Sequence, residues 1–531
     1  MITGANPIVE VLIENALTQW KKKEFGNCDI YFAGHLQVDS SFLEEDNAID
    51  YIFNMLYSKD VDINLLEQQA LRFGGSWGII INTSSYTLMI SDIFRTMPIF
   101  YSYENNTLVV SDNTNSLVEK LKKIRLKKES MPFYIQKGTA RSGETLIDNL
   151  FDVEAGEMVF FNGNIQKIQY YFMPSKQLNV NEKVLLEKLN AIYGMVFIQL
   201  VKYCENNPNL PIFLPLSGGM DSRLLAWAIK KYNIKNRIIS FTYGRDENVE
   251  EARISKQLAL KLGFEWEFIH YTKEKWQEVR GEFEILAKNF SMHKSVIHLQ
   301  DFISIKYLKE KYGQGIVVVG HLMDHFAGLS IPNELKFQNK ISVNKLISGN
   351  RIYENKLSSY EHFYKNTRTA SFILNSVRTY EYFGLKFYLP YANVELASFW
   401  YRTPTRYRIE RNLFRKYLNK YAYKDEYKFL LDIPIALGKR TDDKFLELND
   451  TDKIKIIIKY HLMGTSIAKF LKKILKETIM KEHIKKRNLQ IDYVGFYDFF
   501  KDKDFEFDIY EKNYHQLIGM YGIKSIKRNK N

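Results

Sequence analysis

The pattern of apolar and polar residues changes near residue 185 of this chain. Before that point, residues 78–81 and 87–90 are short apolar runs separated by a polar, Ser-rich segment. Residues 99–103 and 108–111 form a second pair of runs, with two asparagines between them. Short apolar runs joined by turns of this kind are typical of β-hairpins. The first third of the chain is therefore predicted to be rich in strands.

Beyond residue 185, apolar runs alternate with stretches of helical spacing. The predicted strands are residues 212–214, 237–244, 266–269 and 315–320, and Gly263 closes the helix before the third of them. This alternation predicts a doubly wound parallel sheet with helices on both faces. Ligands bind such sheets outside the carboxyl ends of the strands, so the residues that follow the strands are the candidates for a site.

Length and composition limit the class of protein. The 531 residues are too many for one core and suggest two or three domains, while 45% hydrophobic and 26% charged residues are ordinary for a globular protein. The two cysteines, Cys28 and Cys204, lie far apart and define no metal-binding spacing. With no apolar signal segment behind Met1 and no apolar run of membrane-spanning length, they predict a cytoplasmic location.

The net charge of +13 is concentrated near the carboxyl end. Residues 453–487 hold eleven Lys or Arg residues against Glu477 and Glu482, and apolar residues between 467 and 478 fall on one helical face. We expect a packed helix with a solvated lysine face. The alternative is peripheral contact with an acidic membrane surface, or with an anionic substrate. No nucleic-acid motif accompanies the charge, so no nucleic-acid partner is predicted.

The most informative segment is residues 215–223, Pro-Leu-Ser-Gly-Gly-Met-Asp-Ser-Arg, between the first predicted strand of the parallel sheet and a helix. Gly218 and Gly219 let the backbone approach an anion closely, and Ser217 and Ser222 add hydroxyl donors. The unpaired N–H groups and the dipole at a helix N-terminus also favour a phosphate.

Asp221 would repel a bare phosphate, so its presence implies a bridging divalent cation. The spacing differs from that of the G-x-x-x-x-G-K-S/T loop, and no lysine follows the glycines. Instead, Ser-Gly-Gly-x-Asp-Ser after a strand resembles the signature of ATP pyrophosphatases of the PP-loop type. The resemblance implies cleavage of ATP to AMP and pyrophosphate to activate a carbonyl oxygen. A glycine-rich turn that binds nothing is the alternative interpretation.

The first third resembles the class II glutamine amidotransferase domain of asparagine synthetases, along residues 73–111, 145–146 and 156–159. The resemblance implies an Ntn-type, glutaminase-like β-sandwich. That family uses an N-terminal cysteine whose own α-amine serves as the base. Here the chain begins with Met1 and Cys28 is internal, Ser91 replaces the arginine of an Arg-Asp pair, and the Asn-Gly-Glu segment is missing. We expect no glutaminase activity; an N-terminal Thr or Ser exposed by processing is the alternative.

Residues 185–445 resemble the synthetase domain of the same family. After the strand at 315–320, the chain reads Gly-His-Leu-Met-Asp, where the family has a Gly, an acidic residue and a second acidic residue that binds magnesium. Asp324 matches the magnesium carboxylate. His321 stands in place of the catalytic acid and is predicted to be the base that takes a proton from an amine near pH 7. The alternative is that His321 only hydrogen-bonds the loop or the substrate.

The resemblance implies ATP and Mg²⁺ as cofactors. It places ATP on Leu216, Ser217, Gly218, Gly219, Asp221, Ser222, Tyr243 and Gly320, and Mg²⁺ on Asp221 and Asp324. Residues 387–391 and 411–415 match two further segments of the family. In residues 433–440, Lys439 corresponds to a lysine that stabilises developing negative charge, with Arg440 as its neighbouring alternative. A basic surface turn is the competing interpretation.

The predicted reaction is ATP-dependent amide formation through an acyl-adenylate. The combination of Gly320, His321, Asp324, Tyr243 and Trp266 is similar to asparagine-synthetase-like proteins of surface-polysaccharide (lipopolysaccharide, O-antigen) biosynthesis, which implies a sugar carboxylate such as a uronic acid as substrate. The nitrogen would come from free ammonia, from a partner glutaminase or from a substrate amine. The alternatives are an intramolecular cyclase of the β-lactam synthetase or lasso-peptide cyclase kind, an asparagine synthetase using free ammonia, and a non-catalytic ATP-binding scaffold.

Three domains are predicted. They are a degenerate glutaminase-like domain at residues 1–175, a synthetase domain at 185–445 and a basic helical extension at 446–531 packed on the synthetase domain.

Overall fold

We describe residues 8–39, 41–57, 63–174, 176–298, 300–332 and 356–435 of a computed structural model. The chain has a mixed α/β architecture with several sheets, as predicted. The predicted extension at 446–531 lies outside the described residues, and the three domain boundaries stay predictions.

Two sheets built from residues 8–169 make up the first part of the chain. One has the order β1-β8-β7-β9 and the other the order β11-β10-β6-β5-β3-β2, with β4 paired to β3. All pairs are antiparallel except β1 with β8. Their strands are β1 Ile8–Leu12, β2 Trp20–Phe25, β3 Cys28–Val38, β4 Ser41–Glu44, β5 Gly74–Thr83, β6 Thr87–Ser91, β7 Phe100–Glu104, β8 Thr107–Ser111, β9 Leu150–Asp152, β10 Glu157–Phe161 and β11 Ile165–Gln169. Four helices accompany them: α1 Glu45–Tyr57, α2 Ile63–Arg72, α3 Thr114–Lys120 and α4 Met131–Lys137.

Both predicted hairpins are confirmed. Strands β5 and β6 pair with Ile79 opposite Ile90. Strands β7 and β8 are joined at Asn105 and Asn106, whose φ angles are 49° and 63°. Asparagine tolerates this left-handed conformation, and two such residues in a row match the right-handed twist of the flanking strands. That these sheets form an Ntn-type sandwich stays a prediction.

A five-stranded parallel sheet organises the second part. Its order is β14-β13-β12-β15-β16, from strands β12 Ile212–Pro215, β13 Ile238–Gly244, β14 Glu265–His270, β15 Ile316–Val318 and β16 Lys386–Tyr388. The helices are α5 Glu182–Glu205, α6 Met220–Lys231, α7 Glu250–Leu262, α8 Lys273–Glu278, α9 Arg280–Asn289, α10 Phe302–Tyr312, α11 Met323–Phe326, α12 Lys356–Tyr364, α13 Val377–Tyr382, α14 Val394–Arg402, α15 Thr405–Arg408, α16 Asn412–Tyr417 and α17 Phe429–Asp432, with a π-helical segment at Lys365–Ile373.

The strand order fixes where a ligand can enter. From the central strand β12 the chain moves outward to β13 and β14, then returns to the other side of β12 for β15 and β16. The connections after β12 and β15 therefore leave the sheet in opposite directions and open a crevice between them. The loop at residues 216–219 lies on one side of this crevice and residues 319–322 lie on the other.

Helix α5 is the one described helix with the length and composition of a membrane span, with a mean hydropathy of 1.5 over 18 residues. Nine of its residues are buried. It packs against α6, α14 and α16, and the ring of Tyr193 lies 4.6 Å from that of Tyr417. These contacts make α5 a core helix of the second part. The cytoplasmic location stays a prediction.

Buried histidines make the stability of the fold depend on pH. Burial lowers the pKa of His293 to about 4, and its Nδ1 lies 2.9 Å from Thr114 Oγ1. Because the unfolded chain binds a proton to this residue near pH 6.5 and the folded chain does not, stability is lost as the pH falls from about 6.5 to about 4. Buried carboxyls such as Glu157, whose pKa burial raises to about 8, act in the opposite direction.

Replacing His293 should therefore make the free energy of unfolding depend less on pH. Between pH 7.5 and 4.5, the free energy of unfolding should fall less in His293→Gln than in the unmodified chain, by about 2–3 kcal/mol. Urea unfolding at the two pH values measures the difference. His270→Gln, at an exposed strand end, is the matched control and should behave as the unmodified chain. Equal losses in all three proteins would contradict the prediction.

Candidate active site

The loop between β12 and α6 leaves a helix N-terminus open. Gly218 has φ 70°, a conformation that favours glycine, and Gly219 caps the twelve-residue helix without any side-chain hydrogen bond. The Oγ atoms of Ser217 and Ser222 lie 3.1 Å apart, and Ser217 Oγ is 3.4 Å from the backbone nitrogen of Gly219. The hydroxyls therefore line the loop while the first N–H groups of α6 remain available to an anion.

The neighbouring strand β13 fixes the base of this loop. Leu216 donates its N–H to Phe241 O (2.9 Å), and Thr242 Oγ1 donates to Leu216 O (2.7 Å). At the carboxyl end of β13, the ring of Tyr243 stacks on Tyr271 at 5.1 Å. Leu216 and Tyr243 thus lie on the side of the crevice where the resemblance places the nucleotide, and their contacts with ATP stay predictions.

The structure brings the two predicted metal carboxylates together. Asp221 lies in the first turn of α6 and Asp324 in the first turn of α11. One nitrogen, Arg411 Nη2, lies 3.0 Å from Asp221 Oδ2 and also forms an ion pair with Asp324 Oδ1. The Asp221 side chain is 18% exposed and that of Asp324 is 66% exposed. The two carboxylates therefore face one cationic position across the crevice.

The environment of Asp221 fits a divalent cation. Its Oδ1 is buried and has no hydrogen-bond partner among the described residues. Burial raises the pKa of Asp221, and the nearby Arg411 guanidinium opposes that rise. The described residues contain no cluster of three or more His, Cys, Asp or Glu that could hold a metal ion. Two hard carboxylates completed by phosphate and water oxygens are a common set of ligands for Mg²⁺, so the donor set fits this ion.

An unusual backbone brings Arg411 to this position. Glu410 and Arg411 have φ angles of 52° and 59°, two consecutive left-handed residues just before α16. Each costs about 1–2 kcal/mol in a residue with a side chain. The Arg411 guanidinium also lies over the ring of Phe414 at 5.8 Å. Strain of this kind persists only where surrounding contacts hold it. The sequence interpretation matched residues 411–415 to the family but did not predict that Arg411 pairs with both carboxylates.

On the other side of the crevice, Gly320 and His321 follow β15. A Cβ on Gly320 would lie 3.5 Å from the Asp221 backbone, so this strand end packs closely against α6. His321 Nε2 lies 3.0 Å from Ser376 Oγ, and burial lowers the pKa of His321 to about 4. The imidazole is therefore neutral near pH 7. Its low pKa makes it a weak base, and its role as catalytic base stays a prediction.

A buried polar group lies beside His321. Tyr380 donates to Asp301 Oδ2 at 2.7 Å, and His298 Nδ1 lies 3.8 Å from Asp301 Oδ1. Asp301 raises the pKa of His321 and His298 lowers it, although burial remains the main cause of the shift. The sequence interpretation did not single out Ser376, Asp301 or His298, because these residues come from segments that no motif covers.

Arg223 connects the loop at residues 216–219 to residues 430–434. Its Nη2 donates to Gly218 O (3.0 Å) and Pro434 O (2.5 Å), and its Nη1 donates to Leu430 O (2.9 Å) and Ile433 O (2.8 Å). Lys439 and Arg440 lie outside the described residues. The role of Lys439 stays a prediction.

Comparison with known proteins gives distant similarities. No family model matches the chain. A protein of Methanocaldococcus jannaschii named "Putative asparagine synthetase (glutamine-hydrolyzing) 2" is 22% identical over 188 residues, which are 34% of this chain and 35% of that protein. The chain thus matches about a third of the length of that relative.

Three solved structures are similar in part. NMN synthetase from Francisella tularensis is 17% identical with a TM-score of 0.19, covering 28% of this chain and 59% of that one. Glutamine phosphoribosylpyrophosphate amidotransferase from B. subtilis is 8% identical with a TM-score of 0.19, covering 46% and 47%. An allosteric regulatory enzyme of purine biosynthesis is 9% identical with a TM-score of 0.20, covering 47% and 62%. These scores are too low to support an argument, and the sequence similarity to an asparagine synthetase is distant.

If Arg411 occupies a cation position between two carboxylates, its removal should make the stability of the fold depend on Mg²⁺. Arg411→Met leaves the buried Asp221 without its partner and should destabilise the fold by about 3 kcal/mol. Mg²⁺ restores the missing charge, so it should raise the melting temperature of this variant more than that of the unmodified chain.

Thermal unfolding with and without Mg²⁺ measures both effects. Arg415→Met removes an exposed arginine one turn further along α16 and serves as the matched control. If Mg²⁺ stabilises Arg411→Met no more than it stabilises Arg415→Met, the two carboxylates do not form a cation site.

Proposed function

We propose that this chain is an ATP-dependent amide-forming ligase that adenylates a substrate carboxylate, releases pyrophosphate and transfers a nitrogen to the activated carbonyl. One observation carries the proposal. An uncapped helix N-terminus on a Ser-Gly-Gly loop faces two aspartates, Asp221 and Asp324, that converge from opposite sides of a sheet crevice. This combination suits a polyphosphate that is accompanied by a cation.

In the first step, a carboxylate oxygen of the substrate attacks the α-phosphorus of ATP. The bond from the α-phosphorus to the bridging oxygen breaks, and pyrophosphate leaves with that electron pair. The N–H groups at the start of α6 and the hydroxyls of Ser217 and Ser222 hold the departing phosphates. Mg²⁺, when bound by Asp221 and Asp324, neutralises the charge on these phosphates.

In the second step, a nitrogen nucleophile attacks the acyl carbon, AMP leaves and the nitrogen loses a proton. His321 remains neutral near pH 7 because burial lowers its pKa, so it is able to accept a hydrogen bond from the attacking amine and would act as a weak base toward the proton that the nitrogen loses. Ser376 fixes one imidazole nitrogen and thereby the ring orientation. Lys439 would stabilise the charge that develops on phosphate or carbonyl oxygen.

The described residues favour a nitrogen source other than glutamine cleaved by this chain. Cys28 lies at the start of β3, where burial raises the pKa of its thiol, and burial raises that of Cys204 to about 12. Neither is an activated thiolate. Asp92 accepts hydrogen bonds from the backbone N–H groups of Trp77, Phe94 and Thr96, so its carboxylate is committed to the turn after β6. Ammonia, free or from a partner glutaminase, or a substrate amine would therefore supply the nitrogen.

For the carboxylate we favour a sugar acid, such as a uronic acid of surface-polysaccharide biosynthesis. The support is the resemblance carried by Tyr243, Gly320, His321 and Asp324, together with the basic segment at 453–487, which would suit an anionic sugar nucleotide or lipid-linked sugar. An intramolecular cyclase and an asparagine synthetase that uses free ammonia are the alternatives. Among the described residues of the site, no contact favours either alternative.

Pyrophosphate release distinguishes these substrates. With ATP, Mg²⁺ and ammonium, a uronic acid or sugar-nucleotide uronate should trigger release of pyrophosphate and AMP, whereas aspartate should not. Asp221→Asn should abolish release, because it removes the buried charge that the cation needs. Asp246→Asn, on the exposed loop after β13, is the matched control. If aspartate is the only carboxylate that triggers pyrophosphate release, the substrate is not a sugar acid. If no carboxylate triggers release, the chain is better explained as a non-catalytic ATP-binding scaffold.

The role of His321 has its own test. His321→Ala should still form the adenylate, measured as exchange of labelled pyrophosphate into ATP, but should form amide at least tenfold more slowly. Ser376→Ala should show a smaller loss of the same kind, because it removes only the group that orients the ring. Amide formation at the normal rate in His321→Ala would leave that residue without a catalytic role.

A further inference from the structure

A second cavity lies away from the crevice, where the first two sheets meet the second part of the chain. It is small, with a volume of about 30 Å³. The first part contributes Arg95, Phe100, Asp112 and Asn113 to its lining, and the second part contributes Lys294, Asn375 and Arg378.

Arg95 presents two unsatisfied nitrogens in this cavity. Its Nε lies 3.2 Å from Asp152 Oδ2 and donates to Val153 O at 3.1 Å. Both Nη1 and Nη2 are buried without a hydrogen-bond partner among the described residues, and the side chain is 1% exposed. Leaving charged N–H groups buried without acceptors is costly even in a guanidinium that has an ion pair, and the described protein groups supply no acceptor for these two nitrogens.

The two other cations around the cavity already have partners. Lys294 Nζ donates to Arg141 O (2.8 Å), Glu144 O (3.0 Å) and Asp152 Oδ1 (3.0 Å). Arg378 donates to Thr18 and to Thr96 O (2.8 Å), and its Nε lies 3.0 Å from Glu381 Oε2. The carboxylate of Asp152 is therefore shared between Arg95 and Lys294.

The nearby carboxylates do not fill the position beside Arg95. Asp92 receives the N–H groups of the turn that follows it, and Asp112 receives the N–H groups of Glu14 and Asn15. Burial raises the pKa of Asp112 to about 6, so this group is partly neutral in slightly acidic solution.

We propose that this cavity binds a small oxyanion, a carboxylate or a phosphate, on the two terminal nitrogens of Arg95. A planar guanidinium fork matches two oxygens of either group, and the cavity is too small for a nucleotide. One short segment connects this cavity with the crevice. Asn375 lines the cavity, and the following residue, Ser376, holds His321.

Titration calorimetry with sodium acetate and, separately, with inorganic phosphate tests the proposal at constant ionic strength. We expect one saturable acetate site per chain and a phosphate site that depends on Arg95, and the anion that binds more tightly at the Arg95-dependent site identifies the group that is recognised. Arg95→Lys retains a cation for Asp152 but loses the fork, and should weaken binding at least tenfold. Phosphate binding that persists in Arg95→Lys belongs to the N-terminus of α6, which makes acetate the cleaner probe.

A second variant keeps the test valid if Arg95→Lys folds poorly. Ala16→Leu adds bulk to the cavity lining without touching Arg95 and should weaken acetate binding to the same extent, while Ala16→Ser is the matched control and should bind normally. The absence of saturable binding in the unmodified chain, or normal binding in both Arg95→Lys and Ala16→Leu, would overturn the proposal. Neither result bears on the ligase, because pyrophosphate release reports on Asp221 and not on this cavity.

Discussion

The ion pairs of Arg411 with Asp221 and Asp324 are the interaction on which the site depends. Two carboxylates that approach each other across a crevice repel, and one of them is largely removed from water. A single guanidinium compensates for both effects. Because a buried carboxylate without a partner costs several kcal/mol, the site needs either this arginine or another cation at all times.

One short segment holds both helices that carry these carboxylates. Three residues before Arg411, Arg408 donates from Nε to Phe326 O at 2.9 Å, at the end of α11, and forms a buried ion pair with Glu361. Arg411 reaches the start of α6 from the same segment. The left-handed residues Glu410 and Arg411 are therefore held by contacts with α11 and with α6, which explains how a costly backbone conformation persists beside the crevice.

Much of the second part could be predicted from sequence because its signals are local. The strands at 212–214 and 237–244, and the loop between the first strand and its helix, follow from short apolar runs and a Gly-Gly pair. The convergence of Asp221 with Asp324 followed from strand order and from a family resemblance. Arg411 was different, because it lies 190 positions from Asp221 and its left-handed conformation runs against the preference of its residue type.

The same reasoning explains what sequence could not give in the first part. The two hairpins could be predicted from their turn residues. The ion pairs of Asp152 could not, because Arg95 and Lys294 reach this one carboxylate from distant segments of the chain. No periodic pattern in the sequence predicts that two cations share one carboxylate. Motifs identify groups that act alone or in one segment, whereas shared partners become visible only once the chain is folded.

The contacts of Arg223 have a consequence for how this chain tolerates change. Within the described part of the chain, its four hydrogen bonds all end on main-chain carbonyl oxygens, of Gly218, Leu430, Ile433 and Pro434. The guanidinium therefore makes no hydrogen bond to the side chains of residues 430–434. Substitutions there would keep these hydrogen bonds as long as the backbone conformation is unchanged. An insertion or deletion of one residue would displace those oxygens at once. The exposed positions of this stretch should therefore tolerate variation in identity far better than variation in length, whereas Leu430 and Ile433 are also held by their burial in the core.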